Sequence, residues 1–346
     1  MWKLLSFSEI KIPLKPYLTE YSLGIVENQS GKRKIAQIDK SFKKKFLGMK
    51  GTIKIINGPQ GKINLFSLPE KELKINNKTV KINKISRVGI IGTGKMGCQL
   101  AQMFSLAGLK IILKSRKRTA LNILIPNCDK QLQNNILITT NFKDLKKADL
   151  IIEAVSENEK IKITLFKKIE TVVGKSVILA TNTSSLSINH MAAKLNYPGR
   201  FIGIHFFNPI KKMPLVEIIK GEGSFLSTIA STLELIERLG KTSIIVKDGP
   251  GFIVNRLLFS LINEAAYLLE EKVANVNQID QAMKLGANHP MGPFELADFI
   301  GIDLSYEIIK NLSTQIPDFR LPAPIFSRMI KAGKMGIKTK AGFYNY

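Results

Sequence analysis

His205 and Glu217 stand twelve positions apart (217 minus 205), each within a short apolar run: Phe201-Ile202-Gly203-Ile204 leads into the histidine, and Leu215-Val216-Glu217-Ile218-Ile219 encloses the glutamate. A carboxylate in such a run is costly unless something pairs with it, and an imidazole is the obvious partner. The two together make a general base. Ser184, in Thr181-Asn182-Thr183-Ser184-Ser185-Leu186, follows another apolar run at 177–180. Open α/β sheets take their ligands at the carboxyl ends of their strands, so Ser184 and His205 are expected to face one crevice.

A second constellation lies upstream. Arg87-Val88-Gly89-Ile90-Ile91 has the look of a buried parallel strand, and Gly92-Thr93-Gly94-Lys95-Met96-Gly97 follows without a gap. Met96, Leu100, Phe104 and Ala107 then recur at helical spacing until Gly108. Strand, glycine-rich turn and helix in that order are the context that a dinucleotide fingerprint requires. Gly92 is expected to make the turn, Gly94 to let the backbone approach a pyrophosphate and Gly97 to let helix pack on strand. The next strand, 110–113, should end on an acidic residue that holds the adenosine ribose, but the chain reads Lys114-Ser115-Arg116-Lys117-Arg118. Ser115 can hydrogen-bond a 2′-phosphate and Arg116 can offer it a bidentate fork. The expected cofactor is therefore NAD or NADP, with NADP favoured. NAD held without its usual carboxylate is the competing reading.

These residues need elements to position them. Residues 149–158 read as a further strand ending in polar residues at the cofactor edge, 160–173 as its helix, 227–239 as another helix and 243–246 as one more strand. From Gly249-Pro250-Gly251 onward the pattern is helical only: 253–270 is amphipathic, Asn277 is expected to cap a helix ending at Gly286, and Pro290-Met291-Gly292-Pro293 opens another. Before 86 the chain instead offers short β-type runs at 4–12, 21–27, 33–38, 51–56 and 63–68, with turn signals such as Asn57-Gly58-Pro59-Gln60-Gly61 between them. The expected fold class is an α/β Rossmann-type dinucleotide-binding domain at 86–248 and an all-α C-terminal substrate or dimerisation domain at 249–346, preceded by a small all-β OB-like barrel at 1–85.

With 346 residues, 45% apolar and 23% charged, the chain has an ordinary globular balance. Its two cysteines, Cys98 and Cys128, build neither a disulfide framework nor a zinc site, so no metal is expected and a reducing, cytoplasmic location is. No stretch approaches the ~20 apolar residues of a membrane span, and no membrane partner is expected. The net charge of +25 would attract polyanions. The lysines are scattered, however, and not interleaved with aromatic stacking residues, so nucleic acid is disfavoured as a partner. Residues 1–85 hold 18 Lys or Arg and 6 acidic residues, a net of +12.

Taken with Asn182-Thr183-Ser184-Ser185-Leu186, His205-Phe206-Phe207-Asn208-Pro209, Leu215-Val216-Glu217, Pro250-Gly251-Phe252-Ile253-Val254-Asn255-Arg256, Pro290-Met291-Gly292-Pro293-Phe294-Glu295-Leu296 and Gly342-Phe343-Tyr344, the glycine-rich turn resembles that of the L-3-hydroxyacyl-CoA dehydrogenase family. The resemblance runs from about 87 to 346. It implies reversible oxidation of a 3-hydroxyacyl-CoA to the 3-ketoacyl-CoA and a homodimer through the helical domain. Carried onto matching positions, it implies His205 as base, Glu217 as its orienting carboxylate, and Ser184 and Asn255 as donors to the reacting oxygen or the thioester end. Glu157, Lys162, Asn208 and Lys338 match positions that touch the cofactor. Hydride departure from C3 leaves the hydroxyl acidic, so a base within reach must take its proton. Neutral donors can stabilise negative charge on that oxygen without competing for the proton.

The N-terminal runs, with Leu5-Ser6-Phe7, Gly24-Ile25-Val26-Glu27, Ala36-Gln37-Ile38 and Leu47-Gly48-Met49, resemble the OB half of proteins that pair a zinc ribbon with an OB domain and accompany acyl-CoA enzymes such as thiolases. The ribbon is missing here. That resemblance implies a thiolase-type acyl-CoA enzyme as partner. The span from Ser115 to Asp149 is also shorter than the helical arm that the dehydrogenase family uses to hold coenzyme A, and the basic N-terminal barrel is expected to compensate with its lysines. The shortened arm keeps open an alternative substrate, a free 3-hydroxy acid or sugar acid. A non-catalytic NAD(P)-binding module in a thiolase or nucleic-acid assembly is a further alternative.

Overall fold

The computed structural model describes residues 82–346 except 117–134, and before residue 82 the backbone of seven strands. The chain divides into two compact units, residues 1–84 with 230–240, and residues 85–229 with 241–346.

In the first unit, β1 (Trp2–Ile10), β2 (Tyr21–Asn28), β3 (Arg33–Ile38), β4 (Lys50–Gly58) and β5 (Gly61–Ser67) pair in the order β1-β2-β3-β5-β4. β1 also pairs β4 at Trp2–Gly51 and Lys3–Lys50, so the ladder returns on itself. A hairpin of β6 (Glu72–Ile75) and β7 (Lys78–Lys81) follows, beyond the last of the five expected runs. The expectation that lysines of this segment reach coenzyme A concerns side chains outside the described residues.

The second unit is built on an eight-stranded sheet ordered β10-β9-β8-β11-β12-β13-β14-β15. Its strands are β8 (Arg87–Ile91), β9 (Lys110–Lys114), β10 (Ile136–Thr139), β11 (Leu150–Glu153), β12 (Ile178–Thr181), β13 (Phe201–Phe206), β14 (Leu215–Lys220) and β15 (Thr242–Lys247). β8 lies between β9 and β11 and is parallel to both. The chain therefore reverses its direction of travel across the sheet there, and such switch points open a crevice above the strand ends. All residues of β11, β12 and β13 are buried, as the continuous apolar runs require of strands covered on both faces. Helices α1 (Lys95–Leu106), α2 (Glu159–Glu170) and α3 (Ile188–Ala192) connect these strands, and Phe166 of α2 meets Phe201 of β13 edge to face at 4.9 Å. In sequence the helix α4 (Leu226–Arg238) follows β14, and its residues from 230 on belong to the first unit.

The helical part of this unit comprises α5 (Val254–Glu270), α6 (Val276–Gly286), α7 (Pro293–Ile300), α8 (Ile302–Gln315) and α9 (Pro324–Lys331). They enclose Phe259, Ile262, Phe294, Ile309 and Phe326. The cap of α6 is Asn275, not Asn277. The Asn275 side chain accepts the Gln278 N–H while the Gln278 side chain accepts the Asn275 N–H, a reciprocal box that satisfies two end donors at once. No helix among the described residues is long and apolar enough to cross a membrane.

Candidate active site

β13 and β14 pair antiparallel with His205 directly opposite Glu217, and this register sets the two side chains beside each other on one face. His205 Nδ1 lies 2.8 Å from Glu217 Oε2, with the side chains 7% and 1% exposed. The strand runs on to Phe206, so His205 sits inside β13 and not beyond its end. The other carboxylate oxygen, Oε1, accepts the N–H groups of Ile253 and Val254, both at 3.1 Å, at the start of α5. Burial alone would raise the Glu217 carboxyl. The imidazole hydrogen bond, the Val254 and Ile253 amides and the imidazole's charge outweigh it and hold the group below the ordinary carboxylate value. Phe207 and Phe252 flank the imidazole at 4.4 and 5.7 Å between centroids.

Ser184 belongs to a second cluster. Glu157 Oε1 accepts the Ser184 N–H at 2.8 Å and the Ser184 hydroxyl at 3.3 Å, and also the Thr183 hydroxyl. Lys162, 1% exposed, donates to both oxygens of Glu153 at 2.7 and 2.9 Å and stands 3.1 Å from Glu157 Oε2. Burial would raise Glu157, but the Lys162 ammonium, the Thr183 hydroxyl and the Ser184 amide bring it below its ordinary value. Asn255, in the first turn of α5, donates from Nδ2 to the Ser184 carbonyl at 3.2 Å. The Phe206 N–H donates to Asn182 Oδ1 at 3.1 Å, which ties the end of β13 to the loop after β12.

The glycine-rich turn joins the end of β8 to the start of α1. Gly92 has φ +116° and a side chain there would run into the Ala154 carbonyl; one at Gly97 would run into the Gly92 carbonyl. Gly94 has nothing within 4 Å of where a side chain would start, and with Lys95 it is exposed, while Thr93 and Met96 are half-buried. No side chain caps the start of α1, so its opening amides are available to an anionic group. Ser115 is 4% exposed at the end of β9, and Arg116 beside it is exposed.

Asn208 lies in the turn after β13, where its Oδ1 accepts from Gln99 Nε2 at 3.2 Å and Gln99 Oε1 accepts the Ile210 N–H at 2.9 Å. Lys338 pairs instead with Asp303 in the first turn of α8. The structure thus joins His205 with Glu217, Ser184 with Glu157, Lys162 and Asn255, and Asn208 with α1, and it gives Lys338 a helical-part partner. Glu153 and Gln99 escaped the sequence reading. Glu153 ends the apolar run Leu150-Ile151-Ile152, and the cost of burying a carboxylate that singled out Glu217 applies to it equally. Nothing local signals the long-range contacts of Gln99.

The family model of the 3-hydroxyacyl-CoA dehydrogenase NAD binding domain matches residues 87–249, and that of the C-terminal domain matches 251–346. A 3-hydroxybutyryl-CoA dehydrogenase of Clostridioides difficile is 40% identical over 278 residues, 75% of this chain and 99% of the relative. The mitochondrial hydroxyacyl-coenzyme A dehydrogenase of Sus scrofa is 36% identical over 288 residues, 76% and 91% of the two chains. The crystal structure of (S)-3-hydroxybutyryl-CoA dehydrogenase from Ralstonia eutropha matches with a TM-score of 0.72 and 39% identity, covering 76% of this chain and 99% of that one. The two family models together span residues 87–249 and 251–346, and the chain belongs to the 3-hydroxyacyl-CoA dehydrogenase family.

Proposed function

We propose that this protein catalyses the reversible, NAD(P)-dependent oxidation of a short-chain 3-hydroxyacyl-CoA, such as 3-hydroxybutyryl-CoA, to the 3-ketoacyl-CoA. The observation that carries the reading is the buried pair of His205 and Glu217, 2.8 Å apart across one strand register. The names of the relatives, covered almost end to end, support the substrate class. An intact His–Glu pair also weighs against a non-catalytic binding module, and the same names favour a coenzyme A ester over a free hydroxy acid.

A carboxylate only accepts hydrogen bonds, so Glu217 fixes the imidazole with hydrogen on Nδ1 and a lone pair on Nε2. Nε2 takes the proton of the C3 hydroxyl during oxidation, and Glu217 stabilises the imidazolium that results. In the reverse direction the imidazolium returns that proton to the carbonyl oxygen. Ser184 and Asn255 act as neutral donors to the substrate oxygen or the thioester end, and the bond from the Asn255 side-chain amide to the Ser184 backbone carbonyl sets the spacing of the two. Phe207 and Phe252 keep water from the imidazole.

The dinucleotide fits the residues present: an unobstructed Gly94, an uncapped helix start, and glycines where any side chain would collide. Thr93, Lys95, Met96 and the three glycines would hold its pyrophosphate, and Glu157, Lys162 and Asn208 its nicotinamide half, with Lys338 reaching it only on leaving Asp303. Its nicotinamide supplies the hydride acceptor. Ser115 and Arg116, in place of an acidic residue, favour NADP over NAD.

In this reading, residues 86–248 bind the dinucleotide and 249–346 serve the substrate and a homodimer in the cytoplasm. The returning strand order β1-β2-β3-β5-β4 supports an OB-like assignment for 1–85, with a thiolase-type enzyme as the partner it would suit. The test of the whole proposal is oxidation of reduced nicotinamide by the full chain with acetoacetyl-CoA. Turnover with NADH or NADPH is expected; turnover only with a free 3-keto acid would overturn the coenzyme A assignment.

A further inference from the structure

β9 ends in an accumulation of positive charge that the turnover chemistry does not use. Lys114 is 7% exposed, and its ammonium donates to the Ser115 carbonyl at 3.1 Å and stands 4.2 Å from the centre of the Phe142 ring. The Lys168 ammonium, from the last turn of α2, stands 4.5 Å from the same ring. Burial lowers the Lys114 pKa, and the charges of Lys168 and Arg116 lower it further, so both cations act on the Lys114 ammonium.

Among the described residues, no carboxylate forms an ion pair with Lys114, Arg116 or Lys168. Asp144, in the turn that follows β10, accepts the Thr139 hydroxyl on its Oδ2. A buried ammonium is costly unless an anion or a full set of acceptors offsets it, and Lys114 has one carbonyl and a ring face. The position also adjoins the glycine-rich turn, since the Gly92 N–H donates to the Lys114 carbonyl at 3.3 Å.

We propose that Lys114, Arg116 and Lys168 form a phosphomonoester subsite at the carboxyl end of β9, which receives a 2′-phosphate on the adenosine ribose of the bound dinucleotide. The proposal rests on the dinucleotide reading above and adds two lysines that the sequence alone did not single out. The chemical class follows from charge and place. The diphosphate is taken by the glycine-rich turn, so a further anion at the ribose end exists only in the 2′-phosphorylated dinucleotide. A phosphomonoester carries close to two negative charges at neutral pH and suits several cations converging on it.

The experiment measures binding of NADPH and NADH to the full chain, with 2′,5′-ADP and 5′-AMP as competing probes, for the unaltered protein and for Lys114→Met, Lys168→Ala and Arg116→Ala. The unaltered protein is expected to bind 2′,5′-ADP at least about tenfold more tightly than 5′-AMP. Each lysine variant is expected to lower the NADPH-to-NADH affinity ratio by about tenfold, equivalent to ~1.4 kcal/mol. Lys114→Met, which removes a poorly compensated buried charge, is expected to melt no lower than the unaltered protein. If only Arg116→Ala changes the ratio, the NADP reading survives and the subsite is overturned. If 2′,5′-ADP binds no better than 5′-AMP, both are overturned. Lys168 is exposed, so its variant decides the matter even if Lys114→Met does not fold.

Discussion

The imidazole of His205 meets one acidic partner and two aromatic rings, so its replacement separates chemistry from folding. His205→Gln is expected to lower kcat by about 10²–10⁴-fold, the usual range for loss of a general base, while NADH or NADPH still binds. Steady-state turnover and a separate dinucleotide titration check this. Glu217→Gln tests orientation: the amide can still accept from Nδ1 but cannot balance an imidazolium, so kcat should fall with little change in KM. The same variant has a pH signature. Because Glu217 titrates below its ordinary value of 4.5 in the folded protein, its contribution to stability is complete above that value and is lost as pH falls through the lower folded value. The gap in melting temperature between the unaltered protein and Glu217→Gln should therefore be widest near neutrality and close in acid. The pairing of His205 with Glu217 was legible, because a carboxylate inside an apolar run carries a cost that can be read one residue at a time. Gln99 was not, since its value comes from Asn208 and Ile210, more than a hundred positions away.

At the scale of elements, the junction between sheet and helices is the turn Pro250-Gly251-Phe252, where Gly251 and Phe252 have φ of +71° and +52°. A side chain on Gly251 would press on Leu312 and on the Arg256 backbone. Gly251→Ala is thus expected to destabilise the protein by more than ~1 kcal/mol and to weaken turnover by moving Ile253 and Val254 away from Glu217, measurable as a lower melting temperature together with a lower kcat. The helical part has its own lock. Asp298 of α7 accepts the amides of Phe343 and Tyr344 and the Tyr346 hydroxyl, and Asp280 of α6 accepts the Tyr344 hydroxyl. Burial first, then the Asp280 charge, raises the Asp298 carboxyl above its ordinary value despite these bonds, and burial with the Asp298 charge pushes Tyr346 up to about 12. Asp298→Asn turns one acceptor into a donor facing an N–H, and a loss of about 1–3 kcal/mol is expected in chemical denaturation. Sequence periodicity found the helices but misplaced the cap of α6, because Asn275 and Asn277 both suit a helix start and only the Gln278 reciprocal bond chooses between them. β10 was missed for a related reason: four residues, Ile136–Thr139, are too few for alternation to stand out from a loop.

For the whole molecule, the net charge of +25 bears on binding more than on the fold. Acyl-CoA and dinucleotide are both polyanions, and long-range attraction between exposed charges is screened by salt. KM for acetoacetyl-CoA is expected to rise several-fold between about 0.05 and 0.5 M KCl, with kcat changing less, in initial-rate measurements across that range. The Rossmann-type sheet and the helical part were readable over residues 87–346 because glycine spacing, strand runs and caps agree there at every level. Before residue 82 the strand runs were legible but not their ladder, since pairing order depends on partners far apart in sequence. One feature of the sheet also limits how this protein can change. The two oxygens of Glu217 are divided between an imidazole and the opening amides of α5, so the His205 side chain and the helical architecture share a single anchor. A lineage that recarves its helices for a bulkier acyl tail can do so only along routes that leave that anchor undisturbed. New specificity is therefore easier to reach from the far ends of the helices than from their beginnings.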